Sequence, residues 1–283
     1  MDAQRRSRLS GKTFPRPAQT RIITVANQKG GVGKTSTAVN LAAALATNGL
    51  RVLLIDIDPQ GNASTALGAQ HHSEIPSVYE VLLGGRPMIE TVQACQDVGD
   101  LWCVPATIEL AGAEIELVNR PQREFRLHQG LTELRQSLQH AGQPGLDYVI
   151  IDCPPSLGLL TLNAFVAARE VLIPIQCEYY ALEGLSQLLN TVERIRAALN
   201  PELRLSAILL TMYDGRTNLA RDVVQEIRTH FSDEALAVTI PRSVKISEAP
   251  GFGQSVITYD RNSTGALAYL EAALELAERG GRN

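Results

Sequence analysis

A glycine-rich turn, set between a β-branched run and an alanine-rich segment, constrains this chain more than any other feature. Arg21–Asn27 (RIITVAN) runs into Asn27-Gln28-Lys29-Gly30-Gly31-Val32-Gly33-Lys34-Thr35, and Lys34–Asn48 then carries Ala and Leu at helical spacing. That order predicts a strand, a tight loop and a helix. Three glycines let the loop turn its N–H groups inward as an anion cradle, and the helix N-terminus adds partial positive charge. In this context the pattern predicts phosphate binding by Gly30, Gly31, Val32, Gly33, Lys34, Thr35 and Ser36. Lys34 reaches the β- and γ-phosphates and the Thr35 hydroxyl binds Mg2+. Gly31 and Gly33 must stay small where backbone approaches phosphate. The plain alternative is a turn with a chance Gly-Lys-Thr, against which the strand-then-helix setting argues.

Strand and helix signals keep alternating. Arg51–Ile57, Leu101–Val104, Leu146–Ile151, Glu170–Ile175, Leu205–Thr211 and Leu236–Thr239 read as strands, and 78–83, 107–118, 123–139, 158–168, 182–199, 217–230 and 264–279 as helices. The expected fold class is α/β: a doubly wound, mostly parallel sheet with helices on both faces, in one domain over 21–283. A hydrophobic fraction of 45% with 20% charged residues excludes disordered and coiled-coil classes. Residues 1–20 carry Arg5, Arg6, Arg8, Lys12 and Arg16 against Asp2, contain Phe14-Pro15-Arg16-Pro17 and show no apolar period. They are expected to be a flexible basic extension. No apolar stretch of signal-peptide type follows, and no run approaches the roughly 18 residues of a membrane span, so a cytoplasmic location is expected. Cys95, Cys103, Cys153 and Cys177 form no Cys-x-x-Cys pair and lack zinc spacing, so reduced thiols are expected.

Two further segments place acids at strand ends. Asp56 and Asp58 alternate onto one side of their strand, at the carboxyl end where open α/β sheets bind ligands. Carboxylates there are costly unless a metal, water or cation uses them; turn formers or helix caps are the alternative. Asp56 is expected to support the metal shell. Asp147–Asp152 is an apolar strand closing on an acid, and Asp152 is expected to reach Mg2+ through water, because Mg2+ sheds its hydration reluctantly.

The loop departs from G-x-x-x-x-G-K-[ST]: Gln28 stands where the first glycine belongs, and Lys29 precedes Gly30-Gly31. The variant K-G-G-x-G-K-[ST] resembles the deviant Walker A loop of the ParA/MinD family of ATPases. Asp56–Asn62 (DIDPQGN) and Asp152–Pro155 (DCPP) resemble that family's other motifs. Gln176–Gly184, Thr211–Asn218, Ile240–Lys245, Ser247–Pro250 and Asp260–Ala266 are similar to its chromosome-partitioning branch, and the likeness runs from residue 21 to about 278.

The resemblance implies ATP and Mg2+ as ligands. It implies that Lys29 crosses a dimer interface to phosphates held by the other subunit, where a cation stabilises developing charge, and that Asp58 positions the attacking water. Met212, Tyr213, Pro241 and Arg242 are implied near the adenine. It further implies an ATP-dependent homodimer that binds double-stranded DNA without sequence preference, sits on the nucleoid and is released by ParB-stimulated, otherwise slow hydrolysis; a polar scaffold protein stays open as another partner.

DNA binding needs a local basic face, since the chain carries −4 overall. The candidates are Arg194, Arg216, Arg221, Arg228, Arg242 and Lys245, although acids match bases in number between 190 and 250, and a solvated mixed surface is the alternative. Membrane recruitment, as in the MinD relatives, is the competing expectation. It fits less well, because the terminal helix bears Glu271, Glu275 and Glu278, with only Arg279 and Arg282 near its end. Electron transfer, as in the nitrogenase iron protein, would need paired cysteines that the spacing does not supply.

Overall fold

The computed structural model describes residues 2–179 and 181–281; Tyr180 and Arg282 lie outside the described residues. The chain opens with α1 (Asp2–Leu9), then β1 (Arg21–Val25), the glycine-rich loop, α2 (Lys34–Ala46), β2 (Val52–Asp56), α3 (Asn62–Ala66) and α4 (Val78–Leu83). A short β3 (Gln93–Ala94), β4 (Leu101–Val104), α5 (Leu110–Leu117), α6 (Arg126–His140), β5 (Tyr148–Asp152) and α7 (Leu159–Ala167) follow. The last part comprises β6 (Glu170–Gln176), α8 (Ala181–Ala198), β7 (Arg204–Tyr213), α9 (Asn218–His230), β8 (Ala235–Pro241), α10 (Val244–Glu248), α11 (Val256–Tyr259) and α12 (Thr264–Gly280).

Eight strands form one sheet in the order β3-β4-β2-β5-β1-β6-β7-β8. Only β3 runs antiparallel to its neighbour. The expected doubly wound α/β class is therefore the observed one. After β1 the chain crosses to β2 on one side, and after β5 it returns to β6 on the other. The carboxyl end of β1 is thus a topological switch point, the crevice where such sheets bind ligands.

Both faces of the sheet are covered, which is why its central strands read as continuous apolar runs. One core joins Ile22, Ile151 and Ile173 to Leu82, Leu110, Leu131, Phe165, Leu188 and Ile227 from α4 to α9. The other joins Ile23, Val25 and Leu54 to Leu41 and Leu45 of α2, Val256 of α11, and Leu270 and Leu276 of α12. At the amino end of the strands, Arg21 makes a two-pronged pair with Glu170 (2.8 and 2.6 Å) and donates to the Leu276 carbonyl at 2.6 Å.

The segment expected as a flexible basic extension carries a helix that the sequence did not announce. Asp2–Leu9 is helical and lies along α12. Arg5 pairs with Glu271 at 3.2 Å, with both side chains largely buried, and donates to the carbonyls of Thr264 (3.1 Å) and Thr239 (3.2 Å). The Thr264 hydroxyl donates to Asp2 at 2.7 Å, and Phe14 is buried in the α2/α12 core. Polar contacts hold this helix, so no apolar period announced it.

Along β8, Arg5 is one of several side chains that reach main-chain groups. The Ala237 N–H donates to the Glu275 carboxylate (2.9 and 3.0 Å), the Ala237 carbonyl accepts from Arg228 (2.6 Å), and the Ala235 carbonyl accepts from Arg279 (2.8 Å).

Candidate functional site

The loop that follows β1 is tied to two further strands. Asn27 donates to the Pro174 carbonyl at 2.8 Å while its side-chain oxygen accepts from the Lys29 N–H at 3.0 Å, pinning the turn to β6. The Thr211 hydroxyl donates to the Val32 carbonyl at 2.8 Å, pinning the far side to β7. Gly31 (φ 74°) and Gly33 (φ 86°) take left-handed conformations that only glycine adopts cheaply, and Gly33 starts α2.

Lys34 is buried and donates to the Lys29 carbonyl at 3.0 Å. Burial pushes its ammonium below the ordinary lysine range, against the pull of the Asp152, Cys153 and Asp58 charges. Lys29 is half exposed and forms an ion pair with Glu178, just beyond β6. The two lysines of one loop thus stand in opposite settings: one is desolvated beside acids, the other reaches out from the surface.

β2 and β5 bring Asp56 and Asp152 side by side in register. Asp56 is fully buried, accepts from the Ser64 N–H (2.8 Å), the Ser64 hydroxyl (2.7 Å) and the Asp58 N–H (3.1 Å), and is pushed up to about 6 by burial. Asp58 is buried behind an Asx turn in which it accepts from the Gln60 N–H at 3.0 Å. Asp152 is fully buried, and neither of its oxygens has a partner with hydrogen-bond geometry. Burial, then the Asp56 charge, drives its carboxyl well up, although the Thr35 hydroxyl and the Lys34 ammonium oppose the shift.

An orphaned buried carboxylate costs several kcal/mol of desolvation unless a cation or water takes it up. Hard oxygen donors, a nearby hydroxyl and an anion cradle fit Mg2+ bound mainly through phosphates and water. No group of three or more His, Cys, Asp or Glu side chains placed to hold a metal ion by themselves occurs among the described residues.

Beside the loop a cavity of about 370 Å3 is lined by Gly33, Ser36, Thr211, Met212, Pro241 and Arg242, with Ile246 and Tyr269 closing it. That size suits a small ligand. Met212 holds a left-handed backbone (φ 51°), a strained state for a non-glycine residue that functional sites tend to retain. Met212 and Tyr213, both expected near the adenine, stand differently toward this cavity. Tyr213 does not line the cavity but packs against the core on the α8/α9 face, beside Gly215, because strand alternation turns neighbours apart. Ile246 and Tyr269 were missed, and Tyr269 gave no signal, since an aromatic at helical spacing reads as core. Glu178 was likewise not foreseen as a partner of Lys29.

The basic candidates separate into groups. Arg194 on α8, with Arg221 and Arg228 seven residues apart on α9, belongs to the helices covering one sheet face. Arg216 is held by Asp214 in the turn before α9 (2.9 and 2.7 Å). Arg242 lines the cavity, and Lys245 pairs with Glu248 at 3.0 Å while sitting over the Tyr259 ring.

Residues 20–205 match a family described as an AAA domain. Over 259 residues the chain is 51% identical to the chromosome partitioning protein ParA of Myxococcus xanthus, covering 92% of this chain and 88% of that one. It is also 51% identical over 260 residues to the sporulation initiation inhibitor protein Soj of Bacillus subtilis, covering 92% and 99% respectively. Among solved structures, cobyrinic acid a,c-diamide synthase from Mycobacterium smegmatis with bound ATP analog and magnesium superposes with a TM-score of 0.75 at 40% identity, over 90% of this chain and 93% of that one.

Proposed function

Because the chain belongs to the ParA/Soj family of chromosome-partitioning ATPases, we propose that it is a DNA-segregation switch. An ATP- and Mg2+-bound homodimer binds duplex DNA without sequence preference and leaves it when a ParB-type partner stimulates hydrolysis. The observation that carries this reading is the pair of lysines in one glycine-rich loop, set over a buried carboxylate with no partner, at the switch point of the sheet.

In this reading residues 21–283 are the ATPase unit, with residues 1–20 as its accessory segment. The loop amides from Gly30 to Ser36 and the Lys34 ammonium hold the phosphates. Met212, Pro241 and Arg242 border the adenine. Thr35 and Asp152 hold Mg2+, with Asp56 behind them, and the ion neutralises phosphate charge. Asp58 orients the attacking water, and Lys29 leaves Glu178 to reach the partner's phosphates. Arg194, Arg216, Arg221, Arg228, Arg242 and Lys245 supply the DNA face, doubled in the dimer and placed on the nucleoid. The burial of Leu267, Leu270 and Leu274 of α12 in the core favours DNA over a lipid surface, because that helix keeps its apolar side inside.

The test is binding to non-specific duplex DNA with ATP, with ADP and without nucleotide across a salt series. Wild type is expected to bind only with ATP, with affinity falling linearly on a log–log salt plot. Lys29→Ala is expected to keep ATP affinity within about twofold and to lose dimerisation and DNA binding together. Binding that ignores nucleotide would overturn the switch. Asp58→Asn is expected to bind ATP normally while single-turnover hydrolysis falls by roughly 10²–10⁴-fold, the range set by loss of a positioned acid–base group; a rate within threefold of wild type would remove Asp58 from the reaction.

A further inference from the structure

α5 is apolar on two sides. Leu110, Ala113 and Leu117 face the core and are fully buried. On the opposite side Ile108, in the turn leading into α5, Ile115 and Val118 are 65%, 77% and 50% exposed, and Ala111 between them is exposed too. Spacings of three and seven residues place these four on one stripe. The inner side already fills the core, so the exposed apolar stripe on the outer side is a surface with work outside the fold.

Three glutamates line its borders, and one base, Arg123, sits at its far end, donating to the Val118 carbonyl at 2.7 Å. Glu109 and Glu116 lie seven residues apart along one border, where Tyr79 donates to Glu116 at 2.9 Å, and Glu114 lies along the other. The Glu109 Oε2 is buried and has no hydrogen-bond partner.

The stripe is also wired to the hydrolysis site. Glu114 accepts from the Leu160 N–H at 3.3 Å and fills the space that a side chain at Gly158 would need. Gly158 closes the loop that begins at Asp152, and Leu157 of that loop is itself 43% exposed. A body seated on Ile115 would therefore press on the segment carrying the orphaned carboxylate.

We propose that this stripe docks an amphipathic segment of the hydrolysis-stimulating partner, with apolar residues at helical spacing flanked by Lys or Arg that pair with Glu109, Glu114 and Glu116. Charge complementarity selects that occupant: an acidic-bordered apolar stripe repels a like surface and attracts a basic one. The inference rests on the reading that a ParB-type partner stimulates hydrolysis.

The experiment measures ATP hydrolysis by the full-length protein on DNA while the cognate ParB is titrated in, for wild type, Ile115→Lys and, as a milder second variant, Ile108→Ser. Both sites are solvent-exposed, so thermal unfolding is expected to stay at the wild-type temperature. Basal hydrolysis, ATP affinity and DNA affinity are expected to be unchanged, while the ParB concentration for half-maximal stimulation rises at least about tenfold, as for an interface anchor. Normal stimulation of both variants beside a stimulated wild type would overturn the stripe and leave the partner reading intact. A wild type that ParB does not stimulate would overturn that reading and the stripe with it. Loss of ATP-dependent dimerisation in Ile115→Lys, read by light scattering, would instead make a second copy of the chain the occupant and overturn the proposal.

Discussion

Lys34→Ala is expected to bind ATP at least about a hundredfold more weakly than wild type, with the neighbouring aspartates left in place. The ammonium is buried, donates to the Lys29 carbonyl and feels the charges of Asp152 and Asp58. Hydrogen bonds to charged groups contribute roughly 1.5–3 kcal/mol each, and on the proposed reading a desolvated ammonium held against two phosphates would make more than one. A loss of about 3 kcal/mol is roughly a hundredfold in Kd. Removing the cation also leaves Asp58 and Asp152 without its compensating charge, so repulsion between the nucleotide and these acids adds to the expected loss. Titration of a fluorescent ATP analogue measures it, with Lys29→Ala as the comparison. An affinity within threefold of wild type would mean that the loop amides alone hold the phosphates.

Glu170→Ala is expected to lower the free energy of unfolding by about 3–5 kcal/mol, because it strands Arg21 as an uncompensated buried charge. The pair is largely enclosed at the amino end of β1 and β6, with Arg21 also tied to the Leu276 carbonyl and stacked on the Tyr148 ring. Burial by itself would raise the Glu170 carboxyl; the Arg21 hydrogen bonds and charge outweigh it and hold the group below the ordinary glutamate range. The sign of the pH dependence follows. A carboxyl depressed in the folded state contributes fully above its unfolded value, and that contribution is lost as pH falls through the folded one. Resistance of wild type to urea should therefore fall on acidification below the ordinary glutamate range, and Glu170→Ala should lack that component. A change below 1 kcal/mol would show that Arg21 finds other partners.

Much of this was legible in the sequence because local chemistry and position agree. The glycine-rich loop had to follow a strand and open a helix, and acids at the ends of two strands had to meet at the same edge, since β2 and β5 are neighbours. Where a single strand position decided the matter, legibility failed. Met212 and Tyr213 are adjacent in sequence, yet only one can face the cavity. Tyr269 and Ile246 come to the site from segments whose spacing speaks only of packing. α1 was invisible because its attachment is electrostatic, and charge partners hundreds of residues apart leave no period to read. The outer stripe of α5 was hidden for the converse reason: Ile108, Ile115 and Val118 have the spacing of core residues, and only the structure shows which side is covered.

The bonds along β8 also bear on how the molecule behaves at high concentration. β8 is a terminal strand of the sheet, and its outward main-chain groups would template a ninth strand from another molecule. Instead Ala235, Ala237 and Thr239 spend those groups on Arg279, Glu275, Arg228 and Arg5. At the opposite rim, β3 is only two residues long and offers little to pair with. The sheet is thus closed to fibril-like growth at one rim by brevity and at the other by charge, and one of the four charged guards comes from the N-terminal helix. Edge-to-edge association through β8 must first displace Arg5, so the helix Asp2–Leu9 doubles as a guard against that association.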